Sequence, residues 1–84
     1  MLLTVCSVRD VKIEAYGTPF FVVHVGAAVR SFETEINRDD PQNQMFSNPA
    51  DFSLYQLGTY EDSTGKFNLF DVPALVVEGI GVKK

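Results

Sequence analysis

A chain of 84 residues that is 45% apolar, with seven Phe and three Tyr, has the composition of a folded globule and not of a disordered tail. One Cys and one His exclude an internal disulfide and a Cys/His metal site, and a formal net charge of −4 excludes a general nucleic-acid coat, because phosphates are held by basic residues. One domain, residues 1–84, is expected, burying only about 60% of the surface its unfolded chain exposes; with no staple available, burial against a second copy is the remaining route to stability, so a homo-oligomer is expected.

The first residues, Met1 to Val8, are apolar but run into Arg9 and Asp10 without a positive leader or a small-residue cleavage site, so no signal peptide is expected. No stretch approaches the roughly 18 uninterrupted apolar residues of a membrane span. A free thiol without a targeting segment fits a reducing cytoplasm. Charge is unevenly placed: residues 1–30 carry Arg9, Lys12 and Arg30 against Asp10 and Glu14, whereas nine of the eleven acids fall in residues 31–82 against Arg38 and Lys66. Any nucleic-acid face must therefore be local.

In chain order, residues 2–14 are rich in Val, Leu and Ile and read as a strand whose charged residues wet one side toward its end. Tyr16-Gly17-Thr18-Pro19 reads as a turn, and Phe20 to Val25 as the strand that pairs back. The period then changes. Val25, Val29, Phe32 and Ile36 fall on one stripe of a helix, predicted over residues 26–38 with Gly26 as a modest N-cap and Pro41 as the stop. Asp39 and Asp40 sit at the negative end of that helix, an unfavourable place that Arg38 partly offsets. Residues 39–51 form the longest connection, in which Met45 and Phe46 are expected to pin the loop to the core.

Residues 52–60 read as a strand, Asp62-Ser63-Thr64-Gly65 as a turn with Gly65 left-handed, and residues 66–70 as the returning strand. Pro73 interrupts, and Ala74 to Val77 supply a short edge strand. The order β-β-α-β-β gives an α+β fold, an antiparallel sheet of four to five strands with one amphipathic helix packed on a face. The other face has few residues suited to solvent, and Phe21, Tyr55 and Leu57 are candidates for a dimer surface.

Tests for chemistry give little. Asp62-Ser63-Thr64-Gly65-Lys66 resembles a phosphate loop, but six residues separate Gly58 from Gly65 and Phe67 follows Lys66, where a Walker loop needs four and then Ser or Thr. His24 lies in an apolar strand with no nucleophile motif, so it reads as a structurally satisfied histidine, and Cys6 as a small buried side chain. The pairs Asp39-Asp40 and Glu61-Asp62 lack the alternating oxygen ligands and Gly of a calcium loop. No catalytic residue, metal or cofactor is expected. For nucleic acid, the candidate contacts are Arg9, Lys12, Arg30 and Lys66, with Tyr16, Tyr55 and Tyr60 available for base stacking.

The strings Ser7-Val8-Arg9-Asp10, Pro19-Phe20-Phe21-Val22, Ala27-Ala28-Val29-Arg30-Ser31-Phe32, and Tyr55-Gln56-Leu57-Gly58-Thr59-Tyr60 followed by Asp62-Ser63-Thr64-Gly65 occur in this order. Together, over roughly residues 5–70, they resemble the small nonstructural protein of gokushoviruses, single-stranded DNA phages within the Microviridae. The resemblance implies a protein made in the host bacterial cytoplasm, absent from the mature capsid, with a role proposed in single-stranded DNA synthesis or its coupling to packaging. It carries over no catalytic residues. Three functions compete: an accessory factor binding single-stranded DNA, an adaptor that binds a phage replication or procapsid protein, and an inhibitor of a host enzyme whose acidity mimics nucleic acid.

Overall fold

The computed structural model describes residues 1–84. Its centre is an antiparallel sheet of two long inner strands, β1 (Leu2–Asp10) and β4 (Phe52–Glu61), paired from Leu2 opposite Glu61 to Asp10 opposite Phe52. β1 also carries two short strands, β2 (Ala15–Tyr16) and β3 (Phe20–Val22), and β4 carries the 13-residue edge strand β5 (Lys66–Glu78). The sheet curls into a half-barrel with a few helices, an α+β fold as the sequence predicts.

The strand expected over residues 2–14 stops at Asp10, whose carboxylate accepts from the Lys12 N–H at 2.9 Å while the Val11 N–H is drawn to the carbonyl of Asp51. Those bonds take the backbone out of the ladder, and Glu14 turns it back with φ 54°. The return strand is split by Gly17-Thr18-Pro19. There the Ser7 hydroxyl, fully buried, donates to the Gly17 carbonyl at 2.7 Å and holds the gap against β1.

The second half of the expected strand is also lost, because His24 is taken as a helix cap. Its Nδ1 accepts from the Gly26 N–H at 3.0 Å, and α1 runs over Val25–Ile36, slightly earlier than the predicted 26–38. Ala28, Phe32 and Ile36 are its buried residues, spaced one turn apart, and they close on Cys6 of β1 and Leu54 of β4. Val29, expected in the stripe, packs at its flank together with Met45. Burying a side chain such as Phe32 contributes about 1.5–3 kcal/mol.

The connection after α1 is folded, not open. It holds a one-turn helix α2 (Gln44–Ser47) and a 3-10 turn (Pro49–Asp51). Buried Asn43 organises it, donating to the carbonyls of Glu35 and Arg38 at 2.8 and 3.0 Å and accepting from the Met45 N–H. These bonds satisfy carbonyls that a helix end otherwise leaves orphaned. Arg38 ion-pairs with Glu35 at 2.7 Å and Asp40 at 2.8 Å, which relieves the unfavourable placement of the acids. A short helix α3 (Gly79–Val82), absent from the sequence reading, brings Lys83 back to the end of α1, where its ammonium meets the Ile36 and Phe46 carbonyls and lies 3.4 Å from the Phe46 ring centre.

Pro73 does not interrupt the last strand. β5 stays paired with β4 on both sides of it, but the register jumps from Gln56 opposite Ala74 to Gly58 opposite Leu69, so residues 70–73 arch outward across from Leu57. Pro fits there because an edge strand needs no donor on its outer side. Opposite β1 the same place is a bulge, with Val5 facing Gly58, Cys6 facing Gln56 and Leu57 extra. Gly58 is buried with φ 154°, and a Cβ there would fall on the Asn68 carbonyl and 2.7 Å from the Leu69 Cα. Only glycine lets β5 approach so closely.

Candidate functional site

Side chains alternate along a strand, so the register that sends Cys6 and Leu54 under α1 sends Val5, Ser7 and Arg9 of β1 and Tyr55 and Tyr60 of β4 to the opposite face. By the same pairings Tyr16 lies beside Arg9, Phe21 beside Val5, Phe67 beside Tyr60 and Leu69 beside Gly58. No helix covers this face, and it is aromatic.

The rings gather in two places. At one end Tyr16 and Tyr55 meet edge to face with centres 5.4 Å apart, and the Arg9 guanidinium stands 5.7 Å from the Tyr16 ring centre. At the other, Tyr60 lies 4.7 Å from Phe67 and 5.4 Å from Phe21, with Phe21 and Phe67 6.1 Å apart. A groove of about 340 Å³ opens beside this second group, lined by Val5, Pro19, Phe21, Leu57, Phe67 and Leu69. Tyr16, Phe21 and Phe67 are exposed and the other two aromatic rings half-buried. Large apolar side chains in contact and uncovered mark an interaction surface.

Of the sequence-predicted contacts, Arg9 lies on this face and Lys12 follows in the turn beyond it, so the structure keeps these two near each other. Arg30 does not join them, since it projects from α1, which covers the other face. Lys66 sits at the far end of the sheet, opposite Glu61, whereas Arg9 is opposite Ser53. Along β1, which carries no extra residue, the seven steps from Arg9 to Leu2 that separate those two rows span about 23 Å. The four cations therefore do not form one patch. All three tyrosines proposed for stacking are on the face, as are the dimer candidates Phe21, Tyr55 and Leu57.

Phe67 is the site residue that sequence reasoning missed. Its signal was its place across a turn from Tyr60, which puts two aromatics opposite each other once Glu61 pairs with Lys66. At this end the carboxylate of Glu61 is pushed down to about 2, chiefly by a hydrogen bond from the Met1 ammonium at 2.6 Å, which also contacts Asp62.

Elsewhere, an apolar cleft of about 240 Å³ between Val8, Phe20, Phe32 and Met45 is the rim of the core. Cys6 is fully buried, and burial pushes its thiol pKa up. His24 is engaged as the helix cap. No group of three or more His, Cys, Asp or Glu side chains converges, and no helix is long and apolar enough to cross a membrane.

Fold and site together define a small α+β protein whose distinguishing surface is an uncovered aromatic sheet face. The family model described as Phage ORF5 protein matches residues 3–82, and the chain belongs to that family. It is a small phage accessory protein. No curated protein and no solved structure matches it.

Proposed function

We propose that this protein is the nonstructural protein of a gokushovirus-type microvirus, acting in the host bacterial cytoplasm without catalysis of its own, and that it assists single-stranded DNA synthesis or its coupling to packaging by holding the strand on its open face. The observation that carries this reading is the aromatic face itself. Bases have apolar faces that stack on such rings whatever their sequence. Arg9 and Lys12 supply local attraction to phosphate at one end, while Arg30 and Lys66 are placed to touch only a strand that continues past the face.

Attraction must work against a net charge of −4, so binding is modest and falls steeply with salt. Titrating a labelled thymidine oligomer at several salt concentrations tests this. Neutralising Arg9 and Lys12 together should weaken binding and flatten its salt dependence, because phosphate contacts carry no base information. Absence of binding by the unaltered protein at low salt would discard the reading.

A second reading draws support from β5, where Phe67, Leu69, Phe70, Val72 and Leu75 are all exposed. It makes the chain a protein–protein adaptor for a phage replication or procapsid protein, or an inhibitor of a host factor, and the same surface serves a homo-oligomer. Capture of a phage partner from infected cells, lost in Leu69→Asp, supports it. Light scattering that shows only monomer at micromolar concentration removes the homo-oligomer.

A further inference from the structure

We infer that the two aromatic clusters are separate stacking stations on a single path for single-stranded DNA, set about four stacked nucleotides apart, so that one copy of the protein is fully occupied only by a strand longer than that. The inference rests on the single-stranded DNA reading above and gives it a length. The spacing comes from the register. Ser7 stands opposite Tyr55 and Leu3 opposite Tyr60, four residues apart on β1, where the strand carries no extra residue. That is about 13 Å at the rise of a β-strand, or roughly four base steps at 3.4 Å per stacked nucleotide. No ring of one cluster is in contact with a ring of the other, so one base cannot serve both.

The stations differ in chemistry. The Tyr16–Tyr55 station has Arg9 at its ring and Lys12 in the next turn, so it combines stacking with phosphate attraction. The Phe21–Tyr60–Phe67 station opens on a groove whose six lining residues carry no polar side chain, so beyond the Tyr60 hydroxyl it offers a base an apolar surface and no side-chain hydrogen bond to read. In the rows between them the sheet carries buried Val5, Ser7 and Gly58 and half-buried Leu57, while the carboxylates Asp71 and Glu78 belong to the edge strand β5, Asp71 in the stretch across from Leu57 and Glu78 opposite Ser53. No carboxylate rises from β1 or β4 in these rows, so a strand crossing between the stations meets a like charge only toward the β5 edge.

Tyr16, Tyr55 and Tyr60 are the only tyrosines and the chain has no Trp, so its intrinsic fluorescence reports on this face. The experiment measures quenching of that fluorescence by thymidine oligomers of about two to ten nucleotides at low salt. Affinity should rise by roughly tenfold or more across a threshold at about five or six nucleotides, where a second stacked base is added, and little beyond it. Phe67→Ala and Tyr16→Ala remove exposed rings, 54% and 42% accessible, and should leave the circular dichroism spectrum unchanged. Each should abolish the threshold. Phe67→Ala should keep the salt slope for short oligomers, and Arg9→Gln should reduce that slope while leaving the threshold in place. A smooth rise of affinity with length, or a threshold that survives Phe67→Ala, overturns the two-station inference while single-stranded DNA binding stands. No quenching and no binding at any length overturns both.

Discussion

Alanine at Gly58 should damage this protein far more than alanine at Gly65, although both glycines have positive φ. At Gly65, φ is 71° and nothing lies within 4 Å of an added Cβ, so only the left-handed backbone is penalised, by about 1–2 kcal/mol. At Gly58, φ is 154°, and the Cβ meets the Asn68 carbonyl oxygen, the Leu69 Cα at 2.7 Å and the Asn68 carbonyl carbon at 3.1 Å. These are backbone atoms of a paired strand and cannot swing aside. Strain at a sparsely populated φ costs of order 1–3 kcal/mol and forced overpacking typically 1–3 kcal/mol, so the change should cost about 2–6 kcal/mol. The whole domain is worth about 4–13 kcal/mol at the usual 0.05–0.15 kcal/mol per residue. Urea titrations followed by circular dichroism, run side by side on Gly58→Ala and Gly65→Ala, measure the difference. Equal losses near 1 kcal/mol in the two variants would show that the close approach of β5 at the bulge is not what fixes the hairpin.

Three further outcomes are expected. Phe32→Ala, at a side chain only 3% exposed, should cost about 3–5 kcal/mol in the same titration; a loss near zero would mean that α1 is not held by this stripe. Asn43→Ala should cost about 1–3 kcal/mol by leaving the carbonyls of Glu35 and Arg38 without their buried donor, and Asn43→Asp should fail to restore it because a carboxylate cannot donate. Glu35 is held below its ordinary 4.5 by hydrogen bonds from Arg38, and Asp40 below its ordinary 3.8 by the Gln42 N–H and then by Arg38. Folding therefore favours the ionised carboxylates. Their stabilisation is present above the unfolded values and is lost as pH falls through the lower folded ones. Melting curves between about pH 5 and pH 2 should show this fall, and Arg38→Ala should make it shallower by removing Arg38's share of both shifts.

Much of the architecture was legible because it rests on local patterns. Phe32 and Ile36 announce the helix by their spacing, and Asp62 to Gly65 announce the second hairpin by turn chemistry. Ala28 gives little signal in sequence because a methyl group carries little hydropathy, yet its small size lets α1 lie close on the core that it shares with Cys6. Pro73 signals a break in sequence because it lacks a donor, a rule that loses its force on an edge strand. His24 was expected to be structurally satisfied, and the structure gives its partner. The caps at the far end of α1 were not legible at all, since Asn43 reaches the Glu35 and Arg38 carbonyls from a folded connection and Lys83 reaches the Ile36 carbonyl from the far end of the chain. For the site, the tyrosines could be named from sequence, but counting cations could not reveal that α1 carries Arg30 to the opposite side or that Lys66 lies a sheet-length away.

The outward arch of residues 70–73 has a consequence for the chain's behaviour in quantity. An edge of 13 residues bearing Phe67, Leu69, Phe70, Val72 and Leu75 is the kind of strand that recruits others like it into fibres. Stacked cross-β segments need about six or seven consecutive residues of extended, donor-complete backbone. The arch and Pro73 cut the edge into Lys66–Leu69 and Ala74–Glu78, four and five residues long, each carrying a charge at its outer end. Each piece falls short of the six or seven unbroken residues such a stack uses, so the break works against polymerisation along an edge that is otherwise apolar and uncovered.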